Sequence, residues 1–141
     1  MRHPPHRNWP YVGLAALTAA VTVSVAAYVG SQRTPDHYAR ALKNARAVAG
    51  QFFAAMQEHR FDRACELLSL SYLRENRMAD RDTCALNLSV GFLARDLEFE
   101  IADVQPAGKR IVVHAVANGS PGKVVLAREN DAYRVVSVTG A

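Results

Sequence analysis

Nineteen consecutive residues, Tyr11 to Val29, carry no charge, and no other stretch of the 141-residue chain matches them. A helix crossing a bilayer core needs about 20 mainly apolar residues. The run therefore divides the chain into a membrane segment and a globular remainder. The organisation this predicts is a basic N-terminal tail over 1–10, a transmembrane anchor over 11–30, a linker over 31–35 and a globular domain over 36–141. Roughly 105 residues lie beyond the anchor, enough for one domain with one core. A composition of 50% hydrophobic and 21% charged residues belongs to a globular chain rather than a disordered one.

Two readings of the apolar run stay open. As an uncleaved anchor it has Trp9 and Tyr11 at one end and Tyr28 at the other, where amphipathic rings favour the headgroup level. Pro10 suits a first helical turn, and Gly30, Ser31 and Gln32 end the run. As a cleaved signal peptide it has Arg2 and Arg7 as basic leader and Val25-Ala26-Ala27 as a small-residue cleavage site, which would release a secreted carrier of a lipophilic ligand. Signal h-regions span about 7–15 residues. This run is longer and continues through Tyr28-Val29, which favours the anchor. Arg33, Arg40, Lys43 and Arg46 outnumber Arg2 and Arg7 and pull the domain towards the cytoplasm. The short tail, the export-type leader and the cysteines pull the other way. The expectation is a single-pass protein of the cell membrane with its domain extracytoplasmic.

The formal charge of +4 is unevenly placed. Residues 1–49 hold six Lys/Arg against Asp36 alone, whereas residues 50–141 hold eleven against twelve Asp/Glu. The domain is close to neutral and lacks the basic footprint of a nucleic-acid binder, so nucleic acid is excluded as a partner. Basic residues flanking an apolar span suit anionic headgroups, which makes the membrane the first partner.

Cys65 and Cys84 are the two cysteines. Neither lies in a C-x-x-C, and no histidine stands at zinc-ligand spacing from them, so no metal and no cofactor is expected. They are either two buried thiols in separate helices or one disulfide between two helices. An even count in an exported domain favours the disulfide.

Along the domain, Thr34-Pro35-Asp36 reads as a helix start, with Thr34 capping and Asp36 at the positive end of the dipole. Tyr38, Leu42, Ala45, Ala49, Phe52 and Met56 then recur at three- and four-residue steps, predicting one helix to about His59. Asp62 can cap a second, short helix through Cys65 and Leu68. Tyr72 and Leu73 suggest a turn of helix. Asp80 or Asp82 can start a third helix through Cys84, Leu88 and Val90 to Gly91. The period then drops to two: Leu97, Phe99 and Ile101 alternate with Glu98 and Glu100. Strands over 110–117, 123–128 and 133–138 come next, separated by turns at Pro106–Lys109, Asn118–Gly122 and Glu129–Asp131. Short loops demand antiparallel neighbours, hence a four-stranded meander. Its strands are apolar on both faces, so helices cover one face and another surface or partner part of the second.

Few residues suit chemistry. A pocket enzyme needs an acid or base held away from water, and the candidates are Asp103, His114, Tyr72 and Tyr133. Asp103 breaks the alternation of its strand, which marks either a carboxylate entering a cavity or a bulge. His114, between Val113 and Ala115, is a catalytic base or a hydrogen-bonded structural histidine. Counted from the turn, the two are not directly opposite. No nucleophile elbow surrounds Ser69 or Ser71, and no glycine-rich phosphate loop succeeds a strand. Phe52, Phe53 and Phe92 serve the core or line a cavity mouth.

The order of elements, with Phe52-Phe53-Ala54-Ala55-Met56 followed by Phe61-Asp62-Arg63-Ala64-Cys65, resembles the NTF2-like fold of the SnoaL/ketosteroid-isomerase-like proteins over about residues 36–139. The placing of Cys65 and Cys84 is similar to that in membrane-anchored actinobacterial members. The resemblance implies an α+β domain in which helices pack on a curved four-stranded antiparallel sheet, a cone whose concave face encloses an apolar pocket. It is a pattern of elements, and the catalytic set of the enzymatic branch does not map onto this chain; the fold does not imply function. The first expectation is a non-catalytic binding or interaction module whose partner is another envelope protein or a lipophilic small molecule, with a homodimer through the sheet as a further association. The alternative is a small pocket enzyme of isomerase or dehydratase type, with Asp103 or His114 as base and Tyr72 as hydrogen-bond donor.

Overall fold

Four helices precede four strands in the computed structural model, which describes residues 35–140. The expected anchor over 11–30, its flanks and the Thr34 cap lie outside the described residues. Among the described residues no helix is long and apolar enough to cross a membrane.

Helix α1 (Pro35–Gln57) buries Ala45, Ala49, Phe52, Phe53 and Met56 along one side; of the stripe its periodicity predicts, Tyr38 is exposed and Leu42 half-buried. The chain leaves it through His59, whose φ of 56° reverses direction. Helix α2 (Phe61–Glu66) starts two residues earlier than an Asp62 cap allows. Arg60 is its N-cap and makes no side-chain cap bond, because a guanidinium has no acceptor to offer the first-turn N–H groups. Asp62 sits in the first turn and favours the dipole from there. Helix α3 (Leu70–Glu75) is capped by Ser69, whose Oγ accepts from the Tyr72 N–H at 3.0 Å. Helix α4 (Arg81–Phe92) is capped by Asp80, which accepts from the Thr83 N–H at 2.7 Å. Asp80 has the extended backbone a cap requires, whereas Asp82 is already in the helix. Cys65 and Cys84 form a disulfide between α2 and α4, with Cα atoms 6.0 Å apart and both residues fully buried.

Strands β1 (Phe99–Ala107), β2 (Arg110–Ala117), β3 (Ser120–Glu129) and β4 (Ala132–Gly140) pair antiparallel in the order β1-β2-β3-β4. All three connections are two-residue hairpins, at Gly108-Lys109, Asn118-Gly119 and Asn130-Asp131. Asn118-Gly119 and Asn130-Asp131 have positive φ at both positions, the geometry whose twist matches the strands it joins. These turns are tighter than the sequence suggested. Ser120, Pro121 and Gly122 belong to β3, not to a loop.

The expectation of a curved cone is corrected. The sheet is open, and β1 and β4 are separate edges with no pairing between them. A run of tight hairpins adds each strand beside the last and supplies no connection that returns β4 to β1, while closure needs a coordinated tilt and stagger of all strands. The edges are nonetheless guarded. Leu68 bridges Val135 in parallel: the Val135 N–H donates to Leu67 O and the Ser69 N–H to Val135 O, both at 2.9 Å. On β1, Pro106 has no N–H to offer, and the Val104 N–H is taken by Asp103 Oδ1 at 2.9 Å.

One face of the sheet carries Ile111, Val113, Val124, Leu126 and Val135 into the core beneath α1 to α4. The other presents half-buried Val112, His114, Val116 and Val125.

Candidate functional site

A cavity of about 280 Å3 opens between the C-terminal half of α1, the end of α4 and one end of the sheet. Its origin lies in side-chain volume. Val113, Leu126 and Val135 fill the inner face at one end, all at 0% exposure. Further along the same strands the inward positions include Ala115, Ala117, Gly122 and Gly140. Gly122 and Gly140 face each other, and neither tolerates a side chain without backbone movement. A Cβ on Gly140, at φ 94°, would lie 2.6 Å from Gly122 Cα, and one on Gly122 would lie 2.9 Å from Thr139 O. The helices do not sink to fill the gap, because they bring large rings to its walls. Phe53 stacks on Phe99 with centroids 4.7 Å apart, and Phe52 tilts against Phe53 at 5.9 Å.

The rim is the α4–β1 connection. His59 Nε2 donates to Arg95 O at 3.0 Å. Asn118 holds the other end: its Nδ2 donates to Asp96 O at 3.0 Å and its Oδ1 accepts from the Glu98 N–H at 2.7 Å. Between these ties Arg95 lies over the Phe92 ring, 5.7 Å from its centroid. Tyr72 reaches the cavity from α3. Burial pushes its phenol above the usual tyrosine range, so it stands there as a neutral hydroxyl.

The other sequence candidates lie elsewhere. Asp103 and His114 are cross-strand partners on β1 and β2. They are directly opposite, contrary to the count from a longer turn; the Gly108-Lys109 loop is two residues, and that sets the register. Both alternate with core residues, Val104 and Val113, and so face the far side of the sheet. Asp103 comes after a β-bulge at Ala102 and is exposed. Its Oδ1 accepts from the Val104 N–H and its Oδ2 from Gln105 Nε2 at 2.6 Å. Neither Asp103 nor His114 lines the cavity that Tyr72 lines, so the set a proton-transfer site needs is not assembled. Tyr133 lines a different hollow, of about 540 Å3, with Tyr38, Leu42 and Arg110. Among the described residues no three His, Cys, Asp or Glu side chains gather as a metal site.

Phe52, Phe53 and Phe92 were legible as cavity residues. Arg95, Asn118, Gly122 and Gly140 were not. Asn-Gly signals a hairpin, but nothing local shows its side chain reaching back some twenty positions to tie down a rim.

No family model and no curated protein matches the sequence. Solved structures do. An NTF-2-like protein of unknown function from Silicibacter pomeroyi superposes with a TM-score of 0.53 at 15% identity, over 74% of this chain and 97% of that one. A calcium/calmodulin-dependent protein kinase type II association domain from Thiobacillus denitrificans gives 0.52 at 15% identity, over 67% and 91%. At such identity a likeness establishes the fold alone: these residues form an NTF2-like α+β domain.

Proposed function

We propose that the protein is a non-catalytic binding module of the cell envelope, a single-pass membrane-anchored chain whose NTF2-like domain lies outside the cytoplasmic membrane and takes a small lipophilic molecule into its cavity. The observation that carries this reading is an aromatic-walled cavity whose lining, among the described residues, includes the neutral hydroxyls of Tyr72, Ser120 and Thr139 but no carboxylate or imidazole. Apolar concavities with a few polar groups are the usual form of a small-molecule site. The disulfide supports the extracytoplasmic side, since such bonds persist in oxidising compartments. The uncharged run from Tyr11 to Val29 supports the anchor, as does the likeness of the cysteine placement to membrane-anchored actinobacterial proteins.

Native mass spectrometry of the full chain, released from its membrane, tests the binding reading. A small apolar mass is expected on the wild-type protein and absent from Ala117→Phe, whose ring fills the hollow. Equal bare masses for both sink the reading. Added protease is expected to remove the domain from spheroplasts; a protected domain reverses the orientation.

The outer sheet face favours a second reading, association with another copy. Val112, Val116 and Val125 form a half-buried apolar band there. A dimeric mass from the same spectra, lost on Val125→Lys, is the expected sign.

A further inference from the structure

We infer that the ligand of this cavity is an anionic amphiphile, its apolar body against Phe53 and Phe99 and its carboxylate, sulfonate or phosphate head on the guanidinium of Arg95. The inference rests on the cavity-binding reading above and names the chemistry of the molecule bound. Among the described residues no Asp or Glu lines the cavity, and two cationic residues, Arg95 and Lys123, do. Lys123 pairs with His114 and Thr139 and alternates with buried Val124, so its side chain belongs to the far face. That leaves Arg95 as the one charge at the mouth among the described residues.

Arg95 is free to take an anion. The ion pairs among the described residues are Arg60–Glu58, Arg63–Glu66 and Arg128–Asp131, and no carboxylate among them lies within pairing distance of Arg95. Its backbone is held by His59, and its neighbours Asp96 and Glu98 by Asn118. The Phe92 ring supports the guanidinium from below. A planar fork lying over an aromatic ring at the rim matches the bidentate geometry of carboxylate or phosphate oxygens. The volume, about 280 Å3, lies at the small end of ligand pockets and suits a short chain or single ring, not a sterol or diacyl lipid.

The test is a 19F NMR titration of the full chain in amphipol with two probes differing only in the head, para-fluorophenylbutanoate and para-fluorophenylbutanol. The wild type is expected to bind the butanoate more tightly, with an affinity that falls as salt rises. Arg95→Gln is expected to weaken the butanoate about fivefold, the scale of a solvent-exposed ion pair, and to leave the butanol unchanged; Arg95→Lys restores part of the loss. Ala117→Phe is expected to abolish both. Equal affinity of the two probes for the wild type, or an equal loss of both in Arg95→Gln, overturns the head-group assignment while leaving the cavity reading intact. No binding of either probe, or binding indifferent to Ala117→Phe, overturns the cavity reading and this inference with it.

Discussion

The two ends of the sheet's inner face are built on the same strands and have opposite interiors. At one end Val113, Leu126 and Val135 pack without exposure beneath the helices. At the other, Ala115, Ala117, Gly122 and Gly140 leave a hollow under the phenylalanine rings. β2 and β3 pair without interruption through both ends, whereas β3 and β4 shift register by one residue between them, at Val136; the inward positions then differ in side-chain volume. A solid core and a binding cavity result from whether a strand spends its inward positions on branched aliphatics or on methyl groups and hydrogens.

Substitutions at the two ends break that contrast in opposite senses. Leu126→Ala, in the solid half, is expected to lower stability by about 4 kcal/mol, since the site cannot collapse; urea unfolding measures it. The double change Cys65→Ser, Cys84→Ser releases the loop between α2 and α4, whose ends are 19 residues apart. In the chain-entropy model this costs about 3 kcal/mol, and urea unfolding with and without reductant checks it, reductant being expected to move only the wild type. Ala117→Phe, in the hollow half, is expected to change stability by less than about 1 kcal/mol, because existing space receives the ring. A loss as large as that of Leu126→Ala shows that the hollow is not open space.

The smallest effect concerns pH. Hydrogen bonds from Thr83 hold the Asp80 carboxyl below the usual aspartate range. A depressed folded value means a contribution present above the unfolded pKa and lost as pH falls through the folded one. Asp80→Asn keeps a cap but is expected to flatten that acid limb of the stability profile; an unchanged limb assigns it to other carboxylates.

The packed half was the legible half. The α1 stripe through Ala45 and Ala49 is a periodic signal that sequence carries openly, whereas β2 is apolar on both faces and its inward phase, Ile111, Val113 and Ala115, shows only in the structure. The disulfide could be read from two cysteines on separate helices. The hollow half was legible only in its rings. Its floor depends on Gly122 sitting in a strand, and the sequence Asn-Gly-Ser-Pro-Gly reads as one long turn because each residue favours turns locally. Register overrides that preference: Ser120, Pro121 and Gly122 find partners in Ala117, Val116 and Ala115. The opposition of Asp103 and His114 was missed for the related reason that loop length, not composition, sets register. The curved cone came from resemblance rather than from any residue, and the open strand order replaces it.

The bridge between Leu68 and Val135 bears on how such chains behave when crowded. An unguarded outer strand is a template on which neighbours polymerise. Here the helical layer lends three residues of its own backbone to occupy the middle of β4, while proline and a bulge spoil β1. Encounters between copies are thereby steered away from edge-to-edge zippering.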